Sequence, residues 1–278
     1  MRTPLIARLV LLAVTLGLSA ALALPVSAQA STAQVAAAPT AGAVVSAQAG
    51  FPTVLTKNKI YRSGSVGTID CSPTEPRAGS AAAAKTYMLQ VYRCVNQMWA
   101  RKFKAVGWTY RVPKIVIRTS GPKTPCGRLT KTYWGHYCPH NQTIYILLTS
   151  EQIKQPFPLV LAKTMAHEIA HHVQQRSGML TPYYNLAYRA RTKTAKNLLS
   201  HRVEQQAECF AGVFLSGAQD SLPVDFEEWE HINNWAVKNA DDALHGKGRN
   251  QVFWLERGFQ SGSPAACNTW VVSNARVA

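Results

Sequence analysis

The run from Pro158 to Gln175, Pro-Leu-Val-Leu-Ala-Lys-Thr-Met-Ala-His-Glu-Ile-Ala-His-His-Val-Gln-Gln, combines good helix formers with no glycine and no internal proline. Gly178 follows as a stop. Apolar residues cover most of the circumference apart from the histidines and the glutamate, so this helix is expected in the centre of the fold. Ala81 to Val106 sets Tyr87, Leu89, Val91, Val95, Met98 and Trp99 among polar residues and reads as an amphipathic helix. Lys114-Ile-Val-Ile-Arg118 and Thr143-Ile-Tyr-Ile-Leu-Leu148 are rich in β-branched residues and read as strands. Further helices are predicted over 182–216, 224–243 and, shorter, 250–259. Strands early and helices late predict an α+β domain, mainly helical, whose small sheet packs on the 158–175 helix.

The amino terminus has a different pattern. Residues 1–30 hold a short basic start (Arg2, Arg8), an apolar stretch from Leu9 to Leu24, and the small-residue pattern Ala28-Gln29-Ala30. This is the layout of a secretory signal peptide; an uncleaved anchor competes, but the apolar stretch is short for a span. Residues 31–50 carry no charge and no aromatic side chain and are expected to form a flexible linker. Residues 51–278 suffice for one domain with a substantial core, and they contain no internal repeat. No later segment is long and apolar enough for a bilayer, so an exported protein without a stable membrane span is expected.

The formal charge is +16, and removing Arg2 and Arg8 with the leader lowers it to +14. Such a chain is drawn to anionic surfaces, acidic cell-wall polymers among them. Its basic residues spread over 101–104, 111–118, 123–131 and 189–202 without a nucleic-acid module, so specific nucleic-acid binding is not expected.

The chemistry concentrates in His167-Glu168-Ile169-Ala170-His171. Two imidazoles four positions apart on a helix point the same way and can reach one metal ion, while the carboxylate beside the first can deprotonate a water; this is the zinc metalloprotease spacing. The bland alternative is two histidines hydrogen-bonded inside a core. His172 sits about a hundred degrees round from His171 and reads as an outer or surface histidine rather than a ligand. A catalytic zinc needs a third protein ligand, and Glu204 is the candidate, with Glu208 four residues on and on the same face as a carboxylate partner for a ligating histidine. His201, three residues earlier, is the rival third ligand.

These strings resemble a known group. His167-Glu-Ile-Ala-His-His-Val-Gln174, Glu204-x-x-Ala-Glu-Cys-Phe-Ala-Gly212, Asp241-Asp-x-x-His-Gly246 and Gly258-Phe-x-x-Gly262-x-x-x-x-Cys267 are similar to the neutral zinc metallopeptidases of bacteria. Cys126-Gly127, Tyr137-Cys138-Pro139 and Ile144-Tyr145 add to the match, which spans residues 60–270. The resemblance implies a zincin-like fold, one catalytic zinc held by His167, His171 and Glu204, and Glu168 as general base on a peptide or protein substrate. It also makes His245 a candidate donor to the reaction's oxyanion; Tyr183, Tyr184 and Tyr188 are competitors. The family more often has aspartate at the Glu208 position, and its usual arginine after the His-Gly pair is replaced by Gln251, with Arg249 close by.

Six cysteines follow the leader, an even number that points to disulfides in an exported chain. Of the fifteen pairings open to them, Cys126 with Cys138 as a local loop and Cys209 with Cys267 are favoured, leaving Cys71 with Cys94. Zinc-binding cysteines compete, without a CxxC pair to support them. If the fold is zincin-like, two readings of the strand at 143–148 stand equal: a sheet-edge strand by the cleft, where an extended peptide would pair with it through backbone, and an ordinary core strand. Two other functions remain open: a non-catalytic surface- or wall-binding protein stabilised by zinc, and a hydrolase of peptidoglycan cross-links.

Overall fold

The computed structural model of the protein describes residues 50–278, apart from 122, 131–133 and 223–224. The expected signal peptide and nearly all of the expected linker therefore lie outside the described residues. In chain order the elements are α1 (Thr53–Thr56), α2 (Ala81–Ala105), β1 (Lys114–Arg118), β2 (Lys123–Thr124), β3 (Gly127–Arg128), β4 (Gly135–Cys138), β5 (Thr143–Leu147), α3 (Ser150–Lys154), α4 (Pro158–Arg176), α5 (Leu180–Arg189), α6 (Lys193–Ala218), α7 (Phe226–Asn239) and α8 (Gly248–Ser261). The architecture is α+β with a small sheet, as the order of strands and helices predicts.

Local chemistry explains where the helices start. The Ser80 hydroxyl accepts from the Ala83 N–H to open α2, and Asp225 accepts from Glu227 and Glu228 to open α7. Helix α4 begins on Pro158, where the missing N–H is no loss, and the Leu159 N–H donates to Glu228 Oε1 of α7 at 3.0 Å. The helix expected over 182–216 is instead two. Ala190 is extended, and the Thr192 hydroxyl accepts from the Ala195 N–H, so a new helix starts without any proline or glycine to announce it. Helix α7 is also shorter than predicted, ending at Asn239.

Helix α4 crosses the middle of the domain, with Leu161, Ala162, Met165, Ala166, Ile169, Ala170 and Val173 all buried. Helix α6 runs against it and is buried along most of its length, including Phe210, whose ring meets Trp99 of α2 edge-on at 5.0 Å between centroids. Helices α6 and α8 approach closely because of two glycines: a Cβ on Gly212 would come 2.8 Å from the Phe259 nitrogen, and one on Gly258 would come 3.0 Å from that of Val213.

The three-stranded sheet has the order β1-β5-β4, with β1 parallel and β4 antiparallel to β5. The strand at 143–147 is thus central, the core strand of the two readings open from the sequence, and not the edge. Its near-continuous burial reflects neighbours on both sides, and the edge facing the cleft belongs to β4, a strand of four residues with half-polar composition that periodicity does not pick out.

All six cysteines are paired, as Cys71–Cys94, Cys126–Cys138 and Cys209–Cys267. The pairing leaves no free thiol, so the zinc-binding reading of the cysteines falls away. The third bond ties α6 to the segment after α8. Removing it with Cys209→Ala and Cys267→Ala is expected to lower unfolding stability by about 2–5 kcal/mol. Urea denaturation of the oxidised proteins checks this; an unchanged midpoint would mean that the bond braces nothing.

Candidate metal centre

Helix α4 presents His167 and His171 one turn apart, and α6 brings Glu204 against them. His171 Nε2 lies 3.1 Å from His167 Nε2, and Glu204 Oε2 lies 3.3 Å from the His167 atom and 3.2 Å from the His171 atom. Among the described residues these three side chains form a group able to hold a metal ion. His201 is elsewhere: its Nε2 faces the Ala243 carbonyl at 3.2 Å, one turn too early on α6 to join the cluster.

The far nitrogens of both imidazoles decide what the near ones present. His171 Nδ1 donates to Gln174 Oε1 at 2.9 Å, and that amide is itself locked by its NH2 group on the Val203 carbonyl and Gln206 Oε1. With the proton on Nδ1, His171 Nε2 carries a lone pair. His167 turns Nδ1 toward Glu208 Oε1, 3.4 Å away, and Lys163 Nζ holds both Glu208 oxygens at 2.8 Å. Three electron-pair donors therefore face one another at 3.1–3.3 Å, an arrangement that repels itself unless a cation lies among them. Two imidazoles and one carboxylate are a donor set suited to zinc, so the residues fit the ion.

Electrostatic contacts among the same side chains favour positive charge there. Burial pulls His167 down, but its contacts with Glu204 and Glu208 outweigh burial and raise it. Burial would raise Glu204, yet His171, His245 and His167 hold it well below the usual carboxylate range. Glu208 is held low in the same sense, burial being overcome by Lys163 and His167.

Glu168 follows His167 and reaches the same pocket, where it meets β4. A Cβ on Gly135 would come within 3.0 Å of the Glu168 side-chain carbons, so only glycine leaves this carboxylate its place. Gly135→Val is expected to displace Glu168 and lower turnover on the order of 10²-fold while zinc content stays unchanged, because a displacement of about 1 Å suffices for such a loss. Metal analysis beside a rate assay checks this; loss of metal together with rate would mean that the strand supports the ligands instead.

His245 enters from the loop between α7 and α8. Asp242 Oδ1 accepts from the Leu244 and His245 N–H groups, and Oδ2 takes His245 Nδ1 at 2.8 Å. His245 Nε2 then lies 3.5 Å from Glu204 Oε2. Burial lowers its affinity for a proton, but Glu204 and Asp242 prevail and raise it. Gln205 Nε2 steadies the loop from below, donating to the carbonyls of His245 and Val277 at 2.9 Å each.

The pocket over the cluster, about 340 Å³, is lined by His167, Glu168, His171, Glu204, His245, Tyr183 and Tyr184 among others. Tyr188 is not in it and is 90 % exposed. His172 is neither an outer partner of the cluster nor a surface residue. It is fully buried, donating through Nε2 to the Arg111 carbonyl at 2.6 Å and accepting at Nδ1 from the Tyr137 hydroxyl at 2.9 Å, and burial lowers its pKa to about 4. It clamps β4 to α4. Gln251, at the position of the missing arginine, donates to the carbonyls of Ala240 and Gly246 and so closes the His245 loop.

Sequence reasoning overlooked Gln174, Asp242, Lys163 and Gly135. Gln174 at three residues from His171 and Lys163 at four from His167 share faces with those histidines, a usable signal. Gly135 offered none.

His167, His171 and Glu204 thus form a donor set that could hold a metal ion, with the Glu168 carboxylate lining the same pocket. The sequence model described as "Putative neutral zinc metallopeptidase" matches residues 54–270, and the chain belongs to that family. It is 30 % identical over 222 residues to the uncharacterized protein YpfJ of Escherichia coli (strain K12), covering 73 % of this chain and 75 % of the relative. It is also 25 % identical over 193 residues to the uncharacterized protein Rv2575 of Mycobacterium tuberculosis (strain H37Rv), covering 58 % of this chain and 63 % of the relative. No solved structure matches it.

Proposed function

We propose that the protein is an exported zinc metallopeptidase of zincin type that hydrolyses peptide bonds. His167, His171 and Glu204 are the zinc ligands, Glu168 the general base, and His245 the donor to the oxyanion. The observation that carries this reading is the convergence of three lone-pair atoms at 3.1–3.3 Å beside the Glu168 carboxylate. When bound there, zinc supplies a Lewis acid that polarises the scissile carbonyl and acidifies a water.

Glu168 takes the proton of the attacking water and later delivers it to the departing amine, from the space that the absence of a side chain at Gly135 leaves it. His245 is anchored by Asp242 at Nδ1, and in its protonated form its Nε2–H can donate to charge developing on the carbonyl oxygen. Glu208, neutralised by Lys163, keeps His167 oriented; Gln174 does the same for His171. The edge strand β4 stands where an extended substrate can add as a strand.

Export is supported by the three disulfides, which persist in oxidising compartments, and by the leader pattern of residues 1–30. No helix among the described residues is long and apolar enough to cross a membrane. The test is zinc content of the purified domain together with a casein-type assay before and after chelation. One zinc per chain with activity lost on chelation and regained with zinc is expected; a zinc-loaded protein silent on broad peptide libraries sinks the peptidase reading.

A further inference from the structure

Between Glu168 and Glu204 the chain carries no Asp or Glu, and four cations stand within eight positions there: Arg189, Arg191, Lys193 and Lys196. All four are exposed, and none pairs with a carboxylate of the described residues. Arg189 ends α5, Arg191 lies in the link between the helices, and the two lysines open α6. This placement works against the fold. Like charges repel one another, and the amino end of α6, which has no acidic residue in its first turn, disfavours the lysines further.

The cations continue from the rim of the pocket over the metal centre. Leu180, Tyr183 and Tyr184 of α5 line that pocket; Tyr188 follows one turn beyond Tyr184 on the same face, and Arg189 comes next. At a rise of about 1.5 Å per residue, Arg189 stands about 7.5 Å further along α5 than Tyr184. An extended peptide spans about 3.3 Å per residue, so a chain leaving the pocket along α5 comes level with the first cation about two or three residues on. Exposed ion pairs are individually weak, but several cations of one sign beside a cleft raise the local concentration of an anionic substrate.

We infer that this strip of cations docks an acidic stretch of the substrate, and that the preferred substrates carry clustered Asp or Glu about three to six residues from the bond that is cut. The inference rests on the peptidase reading for the cut, whereas the binding of acidic peptides stands apart from it. Continuity with the pocket favours a peptide as the occupant. A chain that reaches the metal centre has to leave over the rim, and α5 with its cations is part of that rim.

The test uses the zinc-loaded protein and matched peptides with a short block of Glu, Gln or Lys, set on either side of the cut in separate series. In one of the two series kcat/KM for the Glu block is expected to exceed that for Gln about 10-fold in dilute buffer, through KM. In about 1 M salt, which confines charge effects to about 3 Å, the ratio is expected to fall to about 2-fold or less. Arg191→Gln with Lys193→Gln is expected to reduce the ratio to about 3-fold or less. Arg191→Glu with Lys193→Glu is expected to favour the Lys block instead, a reversal that misfolding does not produce. Equal cleavage of Glu and Gln blocks in both series, or variants that keep the Glu preference, overturn the docking strip. Fluorescence anisotropy of the same peptides with Glu168→Gln separates this inference from the peptidase reading. Tighter binding of the Glu block where the wild type cuts nothing keeps the strip and removes the peptidase; equal binding of Glu and Gln blocks removes the strip whatever the turnover. Inorganic polyphosphate is expected to displace the Glu peptide, and a protein that binds polyphosphate but not the Glu peptide docks a phosphate polymer and overturns the inference.

Discussion

Glu168→Gln is expected to bind one zinc per chain as tightly as the wild type and to lose hydrolysis by about 10² to 10⁴-fold, the range supplied by a positioned general base. The side chain of Glu168 is not among the three atoms that converge on the centre, so the metal has no reason to leave. Glutamine keeps the length and fills the same space against Gly135, so the strand beside it has no reason to move. What it removes is the ability to accept a proton. Metal analysis and a rate assay on the same preparation decide the matter, and a Glu168→Gln protein of full activity would falsify the assignment.

His171→Ala should remove both metal and activity. It deletes one of three donors and leaves Gln174 Oε1 buried without the proton it accepts, so the amide chain from Gln174 to Gln206 and on to Tyr61 loses its end. Zinc is expected to fall to a small fraction of one ion per chain after dialysis, with no hydrolysis beyond background. Gln174→Leu is the graded companion: it spares the ligand and frees its ring, and a loss of 10- to 100-fold in zinc affinity is expected. Competition with a chromophoric chelator measures both. If Gln174→Leu bound zinc like the wild type, the imidazole would be positioned by packing alone.

Both predictions depend on how helix faces come together, and that was only partly legible along the chain. The spacing of His167, Glu168 and His171 is a property of one helix, and a helix is a local structure whose periodicity survives in sequence. Glu204 and Glu208 were readable for the same reason, since a carboxylate pair at four residues in an apolar stretch needs a partner. The break at Ala190–Thr192 was not, because a threonine cap is common and its meaning depends on whether the chain turns there. The role of His172 was misjudged: its angle on the helix excluded it as a ligand, but only the Tyr137 hydroxyl and the Arg111 carbonyl show that it is a buried clamp. Whether the strand at 143–147 lay at the edge or in the core stayed open, because strand order follows from long-range pairing, which β-branched composition does not encode.

The sequence by itself determined the helices that carry His167, His171 and Glu204, the candidate metal-binding residues, and the α+β class, since each depends on neighbours within a turn or two. The tertiary structure alone decided that Glu204 and not His201 meets the two histidines, that β4 forms the edge at Glu168, and that Gln174, Lys163 and Asp242 orient the three imidazoles. Those outcomes depend on distances between segments far apart in the chain, which are settled when buried faces pack and every buried donor must find an acceptor.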